Sequence, residues 1–280
     1  SVTNGYALKY TETYYYQLST ILKNLGYNFN IIATSGYGSD LQDAINVIKN
    51  NKNLFKKHDL IIYQFNYNDI LPHKKRSEER KLKTYVHHEK AFLGKLIKHT
   101  NEFRYAYLNY SSFLRTLQHY AGIFIKKTSG TCYKREKHAL GMYSYAFGSK
   151  RYKKISLEAW DEFYENIKSL KKITSDLNNE FIVLISPISL QLPNHENNNM
   201  LNFNLDCATI DPYKKFKQIL LELNIKYSDP LPLFLDNINI DINEKNSPIL
   251  FHEHDTNHPN AKANLLLAYS LLNKIIKVNY

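Results

Sequence analysis

The sequence predicts an α/β fold in which a parallel sheet is covered by helices on both faces. Three observations carry that prediction. Short β-branched or aromatic runs occur at 28–33, 59–65 and 181–186, amphipathic segments with helix-start signals lie between them, and glycine or polar side chains stand where the apolar runs end. With 43% apolar residues in 280, the chain has enough apolar surface for one sizeable core and is neither disordered nor fibrous. No window approaches the ~18 consecutive apolar residues of a membrane-spanning helix. The length admits either two domains of about 150 residues or one enlarged domain.

In chain order, Ser1-Val2-Thr3-Asn4-Gly5 reads as a tight turn, and an aromatic amphipathic helix then runs to about Leu25. The strand at 28–33 leads into Ser35-Gly36-Tyr37-Gly38, a turn that suits backbone N–H groups facing an oxyanion or phosphate. Ser39 and Gln42 form a capping box for the next helix. The strand at 59–65 ends in Asn66-Tyr67-Asn68-Asp69, where Asn68 is either a turn residue or a side-chain donor to developing negative charge. Ser156 precedes a helix with Leu157, Trp160, Phe163 and Ile167 as its apolar residues; Asp211 and Pro212 open another, and the last helix runs from about Pro259 to Ile276. A weaker fourth strand is expected at 225–228.

Charge is unevenly placed. Residues 71–154 carry 20 Lys and Arg against 5 Asp and Glu, while the remainder carries 17 against 21. This stretch is also aromatic, which raises nucleic acid, anionic lipid or an acidic polymer as partners; a general lysine and asparagine bias of the chain is the competing explanation. It is expected to form a mostly helical insertion whose residues Lys74, Lys75 and Arg76 start next to the strand end at Asn68 and Asp69. Cys132 and Cys207 are too few and too far apart for a disulfide framework or a zinc cluster, and permit at most one bridge.

The densest ionisable cluster is His252-Glu253-His254-Asp255-Thr256-Asn257-His258-Pro259-Asn260. Two chemistries compete for it. Asp255 and His258, three apart before a helix, suit a carboxylate that fixes an imidazole as general base. His252, His254 and His258 suit metal ligation, although no further ligand has an obvious spacing.

Taken together, Ser1-x-Thr3-x-Gly5, Gly36, Asn66-Tyr67-Asn68-Asp69 and Asp255-x-x-His258-Pro259-Asn260 resemble, in order, the four motif blocks of the SGNH hydrolases, also called GDSL esterases and lipases. Two departures stand out: the Gly-Asp before the serine is missing, and Asn66 replaces the glycine of the third block. The resemblance covers Ser1 to about Asp69 and residue 181 onward. It implies a three-layer α/β/α, flavodoxin-like sheet in a single domain, 1–280, with 71–154 as a basic insertion and the first strand absent.

By the same resemblance, Ser1, Asp255 and His258 are the catalytic residues, and Ser1 N–H, Gly36 N–H and the Asn68 side chain form the oxyanion hole, without metal or other cofactor. The implied activity is hydrolysis of O-acyl esters of a carbohydrate, lipid or small molecule. Acyl transfer through the same intermediate, and non-catalytic binding of an anionic polymer, are the alternatives. An ester substrate, anionic or polymer-bound, is favoured over nucleic acid as partner, with peripheral membrane or envelope contact through 71–154. An intact chain is expected to continue upstream with Gly-Asp and an apolar strand, leaving room for a signal or anchor that favours the cell envelope or secretion. The literal alternative is an N-terminal nucleophile, with the Ser1 amine as base.

Overall fold

In the computed structural model, which describes residues 8–27, 31–34, 40–70, 144–148, 153–192, 208–241, 250–252 and 258–276, three strands form one parallel sheet. They are β1 (Leu60–Phe65), β2 (Glu180–Ile185) and β3 (Lys226–Ser228), in the order β1-β2-β3. The described helices are α1 (Tyr14–Asn24), α2 (Leu41–Asn50), α3 (Ser144–Phe147), α4 (Lys153–Asp176), α5 (Pro212–Glu222), α6 (Leu231–Asp241) and α7 (Ala261–Ile276). The chain divides into two units. One comprises Ser1–Asp69, Trp160–Phe203 and Asp211–Tyr280, and the other Ile70–Ala159 and Asn204–Ile210.

The first unit holds the sheet. β2 is buried along nearly its whole length, as expected of a central parallel strand covered on both faces, and its register places Ile62 beside Ile182 and Phe65 beside Ile185. Side chains alternate between the two faces. On one, Ile182 and Leu184 join Leu18 and Leu22 of α1, Phe234 of α6 and Leu267 of α7 in a single core, with Leu60 and Ile62 packed against it. On the other, the Phe65 ring lies 3.8 Å from Phe216 of α5 and 5.4 Å from Phe163 of α4, and Phe163 is 5.5 Å from Phe216. Such ring pairs add about 0.5–1.5 kcal/mol each to the stabilisation from area burial.

Helix ends explain how the chain returns to the sheet. Asn178 and Asn224, at φ of 56° and 49°, take left-handed conformations just after α4 and α5. The Asn179 N–H then reaches Thr174 O at 3.0 Å, and the Ile225 N–H reaches Leu220 O at 2.8 Å. The same six-to-one closure thus precedes both β2 and β3, with asparagine in the place glycine commonly takes.

In the second unit, the N–H groups of Thr209 and Ile210 donate to Phe147 O at 3.1 and 3.0 Å. Gly148, at φ of 60°, follows α3 there, and a Cβ on it would stand 2.6 Å from Ile210 Cδ1. Dihedral and space both favour glycine. Of the basic stretch expected to be helical, 71–143 lie outside the described residues; 144–147 belong to α3, and α4 begins at Lys153.

Four local expectations are corrected. Residues 31–34 form no strand, and Ile31 and Ile32 are 37% and 74% exposed; residues 28–30 are outside the described residues. β-branched composition favours a strand, but a ladder partner decides it, and among the described residues β1 pairs only with β2. The cap of α2 is Asp40 and not Ser39, which lies outside the described residues. Asp40 Oδ1 accepts from the Asp43 N–H at 2.9 Å while Asp43 Oδ2 accepts from the Asp40 N–H at 3.1 Å, so the box is one residue later and built from carboxylates that also suit the helix dipole. Ser156 is a fully buried residue inside α4, which starts at Lys153. The last helix starts at Ala261, because Asn260 is its cap. At α5 the reading holds: Asp211 Oδ1 accepts from the Lys214 N–H at 3.1 Å, with Pro212 at the first helical position.

Candidate functional site

The carboxyl ends of parallel strands collect backbone groups that have no further ladder to join, and loops there carry the polar side chains that satisfy them. At the end of β1 the chain makes a single 3-10 turn, Tyr67–Asp69, held from four directions. The Asp69 N–H donates to Asn66 O at 2.8 Å, and the Asn66 N–H donates to Asp69 Oδ2 at 3.1 Å. The Tyr63 hydroxyl donates to the same carboxylate oxygen at 2.8 Å, and the Asn68 N–H donates to Asn66 Oδ1 at 3.3 Å. Asn68 is half-buried and sits at the centre of this loop of contacts.

Asn66, which replaces a glycine in the motif the sequence resembles, is buried and turned into this loop. Its side-chain oxygen takes the Asn68 N–H, and its Nδ2 has no partner among the described residues. Burial pushes the Asp69 carboxyl up to about 6, against the opposing pull of hydrogen bonds from Asn66 and Tyr63. The Tyr63 hydroxyl is held well above its ordinary value by burial first and by the neighbouring Asp69 second.

The ends of β2 and β3 are also polar. Ser186 continues the ladder, its N–H donating to Phe65 O at 2.9 Å, and the buried hydroxyls of Ser186 and Ser189 have no partner among the described residues. Gln191 Nε2 donates to the Tyr67 hydroxyl at 3.1 Å, joining the loop after β2 to the turn after β1. After β3, Asp229 accepts from the Tyr213 hydroxyl, from Lys217 Nζ at 3.0 Å and from the Leu231 N–H at 3.2 Å.

His258 occupies a second structured corner. Leu250–His252 and His258–Asn260 run antiparallel, with Phe251 bridged to Pro259, the His252 N–H donating to His258 O at 3.2 Å and the Asn260 N–H to Leu250 O at 3.0 Å. Asn260 Oδ1 then accepts from the Ala263 N–H at 3.0 Å, which caps α7. One turn later, Asn264 Nδ2 donates to Pro259 O and to Asn260 O, both at 2.9 Å. The half-buried His258 therefore stands three residues before the first residue of a helix whose start is fixed by two asparagines.

Of the site residues expected from sequence, Asn68 and His258 are placed: Asn68 in the turn after β1, and His258 at the foot of this hairpin. Ser1, Gly36 and Asp255 lie outside the described residues, Asp255 in the connection between the hairpin arms. Of the three histidines considered as ligands, His252 and His258 are brought side by side by their backbones, and His254 is outside the described residues. Among the described residues no group of three His, Cys, Asp or Glu side chains is arranged to hold a metal ion.

Sequence reasoning missed Tyr63 and the central part Asp69 plays. A usable signal was present in Asn66 and Asp69, three apart across a strand end, which is the spacing of a reciprocal side-chain and backbone turn. No helix among the described residues is long and apolar enough to cross a membrane. Comparison of the chain with protein-family models, with curated proteins and with solved structures returns no match.

Proposed function

We propose that this chain is a serine ester hydrolase of the SGNH type, cleaving O-acyl esters through an acyl-enzyme on Ser1. The observation that carries the reading is the turn at Tyr67–Asp69, where a half-buried Asn68 is held directly at the carboxyl end of a parallel strand. Support comes also from His258, which precedes a capped helix as the last motif block requires.

On this reading the sheet is part of a three-layer, flavodoxin-like α/β/α fold. α4 and α5 cross on the same face as the strand order advances from β1 to β3, whereas α1 and α7 pack on the other. In such sheets ligands bind beyond the carboxyl ends of the strands, which is the end of β1 where Asn68 lies.

In the proposed reaction His258 takes the proton from the Ser1 hydroxyl as its oxygen attacks the ester carbonyl, and Asp255 orients and stabilises the resulting imidazolium. The tetrahedral oxyanion is received by the N–H groups of Ser1 and Gly36 and by the Asn68 side chain. Collapse expels the alcohol, which takes the proton from His258. Water then attacks the acyl-enzyme by the same route and releases the acid. Acyl transfer differs only in the acceptor that replaces water.

The experiment is steady-state turnover of p-nitrophenyl acetate by the full-length protein and its Asn68→Ala variant. Removal of one preorganised donor costs about 100- to 1,000-fold in kcat. Turnover by the parent protein and a loss of that order in the variant support the reading; no turnover by the parent, or equal turnover by both, rejects it.

A further inference from the structure

We propose that Asp69, tethered to β1 by Tyr63, is a positioning residue that fixes Asn68 for transition-state binding; this rests on the esterase reading above. An oxyanion donor is effective only when its geometry is set before charge develops, since a donor that must be ordered during the reaction gives back part of its advantage. Asn68 lies in one 3-10 turn, and three residues alone would not hold such a turn in one arrangement.

The structure supplies the missing constraints. Asp69 closes the turn through its N–H to Asn66 O at 2.8 Å and through its carboxylate, which accepts the Asn66 N–H at 3.1 Å. Asn66 in turn accepts the Asn68 N–H at 3.3 Å, so Asn66, which precedes the turn, and Asp69, which ends it, are locked to one another around Asn68. Tyr63 lies within β1 and donates to Asp69 Oδ2 at 2.8 Å, which refers the whole turn to the sheet and not merely to itself. Tyr63 acts at one remove: its hydroxyl touches Asp69, and Asp69 holds the backbone on either side of Asn68.

A positioning role predicts coupling to Asn68 and not simple loss of stability. The test is a double-mutant cycle on the full-length protein, reading kcat and KM for p-nitrophenyl acetate in Tyr63→Phe, Asp69→Asn and Asn68→Ala and in the two doubles containing Asn68→Ala. Tyr63→Phe is expected to lower kcat about three- to ten-fold and Asp69→Asn about ten- to 100-fold, both with KM within about twofold of the parent. In the Asn68→Ala background each is expected to lose most of its effect, because there is no donor left to position. Tyr63→Phe keeps the ring and its packing, so it reads out the inference even where Asp69→Asn folds poorly. A parent that turns over ester while the two substitutions act independently of Asn68→Ala overturns the positioning role alone. A parent with no turnover overturns the esterase reading and this assignment with it.

Discussion

The Tyr14 N–H, at the start of α1, donates to the side-chain oxygen of Asn264 on α7 at 3.0 Å, joining residues 250 positions apart. Thr13 offers no side-chain cap to α1, so a residue from the last helix does that work. The same Asn264 amide donates to Pro259 O and Asn260 O, so one buried side chain ties the first described helix to the turn that carries His258.

Asn264→Leu is therefore expected to destabilise the protein by more than a helix-surface change. It strands the Tyr14 N–H and the Pro259 carbonyl, where each unsatisfied group costs about 1–3 kcal/mol, while Asn260 O keeps the backbone N–H of residue 264. Urea unfolding should show a lower midpoint with an unchanged slope; a loss below about 0.5 kcal/mol would contradict this account of α1 capping.

Phe216→Ala tests the aromatic face of the sheet. Phe216 is fully buried and meets both Phe65 and Phe163, so truncation leaves a cavity between β1 and α4 and should cost about 3–5 kcal/mol. Phe216→Leu, which refills most of that volume, should cost clearly less in the same denaturant titration.

Stability should also depend on pH through Asp69. Burial raises its carboxyl from 3.8 to about 6, so between those values the folded state binds more protons than the unfolded chain. The stabilisation is complete below about pH 4 and is lost as pH rises through about 6, amounting to at most about 3 kcal/mol across the window. Asp69→Asn should flatten this part of the stability curve. Parallel curves for parent and variant between pH 4 and 7 would remove Asp69 as the source.

Much of the framework was legible from local signals. β1 and β2 were readable because parallel strands are apolar on both faces, β3 only weakly because Lys226-Tyr227-Ser228 has little apolar character, and α5 because Asp211-Pro212 combines a cap with a fixed φ. The stretch 31–34 was not, since Ile31 and Ile32 look like buried strand residues and only the absence of a ladder partner among the described residues shows otherwise. Asp40 and Asp43 were hidden behind an equally plausible Ser39–Gln42 pair one residue earlier. At the candidate site, the positions of Asn68 after a strand and of His258 before a helix were legible in the sequence. Tyr63 was not, because a tyrosine inside a strand has no sequence mark that separates a packing ring from one whose hydroxyl anchors a turn six residues on.

The basic stretch 71–154 leads to a kinetic expectation. If its lysines and arginines attract an anionic ester, kcat/KM for that ester should fall with ionic strength, while a neutral short-chain ester should hardly respond, because exposed charges are screened over ~8 Å at physiological salt. Charge reversal of Lys74, Lys75 and Arg76 should abolish the difference. Identical salt responses for both esters would reduce the stretch to a lysine-rich insertion.

The central claim is a serine nucleophile activated by His258, and mass spectrometry of the full-length protein after exposure to a fluorophosphonate tests it most directly. The account predicts one covalent adduct, on the peptide containing Ser1, formed by the parent protein and lost in His258→Ala. An unmodified protein, or an adduct on another residue that persists in His258→Ala, would contradict it.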